Sequence, residues 1–175
     1  MRFTTGSRLR GGMSYLRLKP PMLVWVLLLL AAGSSRASDE ASFWTVYRHG
    51  VGFSAGTTSG VGYSYTYNLK TRPTLSWVIG GAGLPEFQNI GTQLRISLSE
   101  GVRTRLLAHL GVGHFATDSG RETTTMYGFG LGVGWVAGQR VTHTISVEQV
   151  LRESKSRPGT LTASVGINYT LHYHL

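Results

Sequence analysis

The chain ends in "TLTASVGINYTLHYHL" (residues 160–175), where every second residue from Leu161 to Leu175 is apolar or aromatic. Thr, Ser, Gly, Asn and His residues occupy the alternate positions. A period of two is typical of a strand with one apolar face and one polar face. The run exceeds the usual strand length of about 5–6 residues, and it is long enough to cross a bilayer, which takes roughly 9–11 tilted residues. We therefore expect the closing strand of a membrane-spanning barrel.

The same alternation recurs upstream. In "VGYSYTYNLK" (61–70) one face carries Val, Leu and three Tyr residues, and the other carries Gly, Ser, Thr, Asn and Lys. The pattern predicts an all-β protein with no helical stretch after residue 37, because no segment shows a helical period. Eight strands are predicted, at 43–56, 60–70, 74–82, 88–99, 102–116, 123–137, 140–152 and 160–175.

The connections between the predicted strands fall into two classes. "KTRP", "SEGV" and "AGQR" are tight turns, whereas "GTTSG", "GLPEF", "TDSGRET" and "RESKSRPGT" alternate with them at the opposite end. An even number of antiparallel strands, with turns at one end and longer loops at the other, is typical of an outer-membrane barrel. We therefore predict an eight-stranded antiparallel up-and-down transmembrane β-barrel with both termini in the periplasm.

Alternation alone leaves the direction of the apolar face open, because a soluble lipocalin-like carrier of apolar ligands has the same period with its apolar face inside. The polar face here consists mainly of Gly, Ser, Thr and Asn, which suits a narrow interior better than a surface in water. Tyr and Trp are plentiful on the apolar face, where interfacial girdles require them. These features favour the membrane barrel over the carrier.

Bulk composition agrees with this interpretation. The 175 residues include no cysteine and only 14% charged residues, against about 25% in soluble domains.

A basic stretch, the apolar run Met22–Ala32 and small residues before Ser38 predict a secretory signal peptide at 1–37, with Met13 as an alternative start. Six of the 17 basic residues lie in that segment, so the net charge falls from +9 to +3 in the predicted barrel domain, 38–175. Nucleic acid is not a predicted partner.

The last third of the chain carries a family resemblance. The stretch "YGFGLGVGWVAGQRVTHTISVEQV" (127–150), followed by "GTLTASVGINYTLHY" (159–173), resembles the closing strands of small OmpA/OmpX/Ail-like and opacity-type outer-membrane barrels of Gram-negative bacteria. The resemblance implies an assembly-signal strand containing Gly166, Tyr169, Tyr173 and Leu175, with Leu175 standing where Phe is usual. It also implies, as partners, outer-membrane lipid and lipopolysaccharide, the barrel assembly machinery and periplasmic chaperones.

Charged residues on the predicted inner face suggest a network inside the barrel. An eight-stranded barrel is just wide enough for side chains to fill it, and buried charges have to pair. We therefore predict that Glu148 pairs with arginine in a stabilising interior network, rather than lining an ion path, and that the Gly128–Gly134 ladder leaves room for arginine and aromatic side chains. The predicted network consists of Arg48, Arg95, Arg103, Arg105 and Glu148.

An enzyme is the second function class considered. Lipid A deacylases are small outer-membrane barrels with a His-x-Ser pair, and His143 and Ser146 invite the comparison. The spacing here is His-x-x-Ser, which places the two residues on opposite faces of a regular strand. Only a bulge would realign them, and the pair is kept as a candidate on that condition. No cofactor or metal site is predicted, although His172 and His174 share one face.

Surface binding is the third class. Arg121, Arg152, Lys155 and Arg157 form a basic rim on the predicted outer loops. Such a rim could meet lipopolysaccharide phosphates or host glycans, or it could simply be solvated. The favoured function is therefore a structural or surface-interaction role without enzyme activity or an open pore.

Overall fold

The computed structural model describes residues 42–71, 73–117, 122–154 and 157–175, without the side chains of 154–160. A helical turn, α1 (Phe43–Val46), precedes eight strands. The strands are β1 (His49–Gly56), β2 (Gly60–Leu69), β3 (Leu75–Gly83), β4 (Phe87–Glu100), β5 (Thr104–Thr117), β6 (Glu122–Ala137), β7 (Val141–Ser154) and β8 (Arg157–His174). The predicted signal peptide at 1–37 and the alternative start at Met13 lie outside the described residues.

The eight strands form a closed antiparallel barrel in which each strand pairs with its neighbours in sequence. The last strand returns to the first, with Asn168 opposite Gly56 and His174 opposite Gly50. This confirms the predicted eight-stranded up-and-down barrel. We call the end that holds α1 and the chain terminus at Leu175 the turn end. The opposite end, where β1 meets β2 and β7 meets β8, is the loop end.

Side chains alternate between the two faces of the wall as the sequence pattern predicts. The exterior is apolar: Tyr63, Val165 and Leu110 are 76%, 69% and 64% exposed. The buried set is dominated by Ser, Thr, Asn, Gln, His, Arg and Glu side chains, whereas the buried apolar residues among those described are Trp44, Val78, Leu107 and Val150. A carrier of apolar ligands needs the reverse arrangement, with an apolar interior.

The chain before β1 corrects the predicted first strand, 43–56. Residues Phe43–Val46 form one helical turn instead, and the strand begins only at His49. Four residues are too few for a helical period to stand out from an alternating one. The turn places Trp44 across the turn end of the barrel, where its side chain is buried. Within the described residues, no helix has the length and apolarity needed to cross a membrane.

Candidate functional site

The connection between β1 and β2 folds into the barrel rather than away from it. We call residues Thr57–Ser59 the inward turn; Thr58 and Ser59 have no exposed surface. The chain re-enters the wall at Gly60, whose φ of 74° lies in the left-handed region that glycine adopts without steric cost. The alternating pattern predicts an outer loop here, so the position of this segment in the interior is a correction.

Glycines on the inner face of the wall make room for the inward turn. A Cβ atom on Gly111 would lie 2.7 Å from the Thr58 Cβ, and one on Gly128 would lie 2.8 Å from the Thr58 Cγ2. Both distances are shorter than van der Waals contact, so any larger residue would displace the turn. Further glycines that meet the turn in the same way come from β4, β5 and β8: Gly91, Gly113 and Gly166.

The glycine ladder of β6 therefore has a mixed role. Gly134 faces the Arg105 side chain, where a Cβ would lie 3.2 Å from its Cγ, so this glycine does leave room for arginine. Gly128 instead accommodates Thr58 and the carboxylate of Glu148. The predicted arginine and aromatic side chains therefore do not occupy the whole ladder, because a backbone turn fills its loop-end part.

Glu148 is the central acceptor of the interior. Its carboxylate, on a residue only 1% exposed, accepts a hydrogen bond of 2.6 Å from the Thr58 hydroxyl and another from the Thr57 hydroxyl. His109 Nε2 lies 3.0 Å from Glu148 Oε2 and forms an ion pair with it when protonated. Hydrogen bonds to a buried carboxylate are stronger than those between neutral groups, so Glu148 holds the inward turn in place.

The predicted direct pairing of Glu148 with arginine is corrected by this geometry. Arg95 donates to the Gln93 side-chain oxygen at 2.7 and 3.0 Å, and Gln93 in turn donates to the Thr58 hydroxyl at 2.8 Å. Arg95 and Glu148 are thus linked indirectly, through the side chains of Gln93 and Thr58. The register explains this: Arg95 pairs with His109, His109 with Gly130 and Gly130 with Glu148. His109 therefore lies nearer to Glu148 in the sheet than Arg95 does. Its imidazole reaches the carboxylate across Gly130, which has no side chain.

A second anchor of the inward turn comes from β8. The side-chain oxygen of Asn168 accepts hydrogen bonds of 3.2 Å from the backbone N–H groups of Thr58 and Ser59, and from the Ser59 hydroxyl. A buried backbone donor without a partner costs about 1–3 kcal/mol. Asn168 thus supplies the acceptor that two such donors need inside the barrel.

The turn end of the interior contains the other buried arginine. Arg105 donates to the Ser76 hydroxyl at 2.9 Å, and its guanidinium carbon lies 3.9 Å from the centre of the Trp44 ring. This is within the range of a cation–π contact. Trp44 therefore covers Arg105 at this end of the barrel.

Two residues of the predicted charge network lie outside the interior. Arg48 and Arg103 are exposed, because β1 begins at His49 and β5 at Thr104. Arg48 stands two residues before the inward-facing Gly50, and Arg103 stands two residues before the inward-facing Arg105, so alternation predicts that both face inward. The strands begin only after these two residues, so neither lies in the wall. The interior charges among the described residues of the predicted set are thus Arg95, Arg105 and Glu148.

The histidines near the chain end have separate partners. His172 Nε2 lies 2.9 Å from the Ser64 hydroxyl, and His174 Nε2 lies 2.8 Å from the Thr142 hydroxyl. Their rings are 6.4 Å apart. Over the described ranges, no group of three or more His, Asp or Glu side chains is placed to hold a metal ion.

His143 and Ser146 lie on opposite sides of the wall. The His143 ring stacks on Trp135 outside the barrel, with centres 5.2 Å apart, and its Nδ1 lies 2.7 Å from the Tyr169 hydroxyl. Ser146 is buried inside. The pairing of β7 is regular from Val141 to Glu153, so no bulge realigns the two side chains. They cannot form a nucleophile–base pair, which requires contact within hydrogen-bonding distance.

The predicted assembly-signal residues occupy both faces of β8. Gly166 faces inward beneath the inward turn, whereas Tyr169, Tyr173 and Leu175 are exposed on the exterior. Arg140, in the turn before β7, hydrogen-bonds to Tyr173, and this contact raises the pKa of its guanidinium above the ordinary value.

Of the predicted basic rim, Arg152 is the one residue whose side chain is described. It is exposed and reaches the Thr124 hydroxyl at 3.4 Å. Arg121 and Lys155 lie outside the described residues, as does the side chain of Arg157.

Comparisons with known proteins do not assign the chain to a family. No family model matches the sequence, and neither the curated proteins nor the solved structures gave a match.

Proposed function

We propose that this chain is an integral outer-membrane β-barrel of the small OmpA/OmpX/Ail-like, opacity-type class, with a structural or surface-interaction role and no open pore. The observation that carries the proposal is the inverted distribution of polarity in a closed barrel. Large apolar side chains cover the exterior and polar side chains fill the interior. Water does not favour that arrangement, whereas a bilayer does.

The interior supports the absence of a pore. Eight strands enclose a narrow interior, and the inward turn, Glu148, Gln93 and Arg95 lie within it. The turn end is covered by Trp44. In this proposal both termini face the periplasm, the loop end faces outward, and the exposed tyrosines of β8 contribute to the strand that the barrel assembly machinery recognises.

Fractionation combined with heat-modifiability tests this function. The full chain is expressed in a Gram-negative host, its membranes are separated, and unboiled and boiled samples are compared on detergent gels. We expect the protein in the outer-membrane fraction, with an unboiled band that migrates faster than the boiled one. A soluble periplasmic protein without a mobility shift would refute the proposal.

A further inference from the structure

A recess of about 710 Å³ lies on the exterior of the barrel near the loop end. Its sides are formed by Tyr63 and Ile90, which are 76% and 59% exposed, and its floor by the backbone of β3 around Gly81 and Gly83. His114 lies beside Ile90 along the same row of the wall. The recess belongs to the apolar surface and not to the interior network.

The register explains why the wall is recessed there. Tyr63 pairs with Gly81, and Gly81 pairs with Ile90, so a residue without a side chain separates two large ones. Tyr63 is supported on its other side by Phe53, whose ring centre is 5.0 Å away. The recess is therefore a groove between fixed sides.

The chemistry of the lining changes along the groove. Towards the middle of the barrel it is bounded by Tyr65 and Ile79, whereas Gln88 is exposed at its loop end and His114 is exposed beside Ile90. His114 Nδ1 lies 3.1 Å from the Thr125 hydroxyl, which fixes the ring at the surface. An apolar groove with polar groups at its edge matches an amphiphile that has an acyl chain and a hydrogen-bonding head group.

We propose that this recess is a lipid site that holds one acyl chain of lipopolysaccharide, with the head group at Gln88 and His114. The inference rests on the proposed function, which places the loop end in the outer leaflet, where lipopolysaccharide is the lipid. The groove is continuous with the apolar exterior band, so a chain can enter it sideways from the bilayer. A chain lying between Tyr63 and Ile90 would occupy a defined place on the wall.

Filling the groove tests the inference. A Cβ atom on Gly83 would meet nothing within 4 Å, so Gly83→Leu adds a side chain at the groove without displacing the wall. Ala163→Leu is the matched control, because Ala163 is also exposed on the outer face, on β8. The full-length proteins are purified from outer membranes in detergent and washed. Lipopolysaccharide per barrel is then measured by native mass spectrometry and by 3-hydroxy fatty acid content.

We expect the wild type and Ala163→Leu to retain about one lipopolysaccharide per barrel, and Gly83→Leu to retain at least roughly tenfold less. Equal retention by Gly83→Leu, a wild type without bound lipopolysaccharide, or retention of phospholipid in its place would overturn the inference. Fractionation and heat-modifiability of the same samples distinguish failure of the lipid site from failure of the proposed function. An outer-membrane barrel with unchanged lipid retention refutes the lipid site alone, whereas a soluble protein refutes both proposals.

Discussion

Replacing Glu148 by alanine tests whether the interior network stabilises the barrel. The carboxylate accepts hydrogen bonds from Thr57, Thr58 and His109 inside the barrel. Its removal leaves two hydroxyl donors without their acceptor and the His109 imidazole without its partner. Breaking a buried pair in this way costs about 3–5 kcal/mol. We therefore expect Glu148→Ala to lower the free energy of unfolding by about that amount.

The assay is equilibrium unfolding in denaturant, with the barrel in detergent micelles or lipid vesicles and tryptophan emission as the signal. Glu148→Gln keeps the shape of the side chain and removes the charge, so we expect a smaller loss of about 1–3 kcal/mol. Glu122→Ala is the control, because Glu122 is exposed at the start of β6 and such a change usually stays within about 0.5 kcal/mol. A Glu148→Ala barrel as stable as the Glu122→Ala barrel would refute the reasoning.

Further predictions follow from the same contacts. Gly111→Val places a Cβ against Thr58, and we expect a loss of about 1–3 kcal/mol in the same unfolding assay, whereas Gly101→Val, at an exposed turn, should cost less. Trp44→Ala uncovers Arg105 and should destabilise the barrel by about 3 kcal/mol; an unchanged unfolding midpoint would contradict the role of Trp44 as a cover. Brominated lipids should quench the emission of Trp77 and Trp135, which are exposed, but not that of buried Trp44, as measured in single-tryptophan variants. Overexpression of wild type or of His143→Ala should leave the mass of lipid A unchanged, because His143 and Ser146 lie on opposite sides of the wall.

The strands and their faces follow from local pattern. Alternation predicted eight strands, and the observed β2 and β6 differ from the prediction by no more than one residue at either end. The same alternation correctly predicted that Arg95, Arg105 and Glu148 face the interior of the barrel. It failed at Arg48 and Arg103 because a period of two says which face a residue would have, but not where the wall stops.

The inward turn could not be predicted from its own residues. "GTTSG" has the composition of an ordinary exposed turn, and its burial depends on space supplied by β4, β5, β6 and β8. A signal did exist in the sequence: glycines at inward positions of several strands, such as Gly91, Gly111 and Gly166, leave a volume that something must fill. Which segment fills it depends on contacts between distant strands, so single-sequence periodicity does not show it. The role of His109 escaped prediction for the same reason, because the glycine that opens its route to Glu148 lies on another strand.

The inward turn also has a consequence for how the barrel folds. Its hydrogen bonds join the first hairpin to the last, across 90 residues to Glu148 and 109 residues to Asn168. Closing such long loops is entropically costly, and chains dominated by distant contacts fold slowly. The inward turn therefore has its buried acceptors only once β7 and β8 are in place, so its burial requires the last hairpin as well as the first.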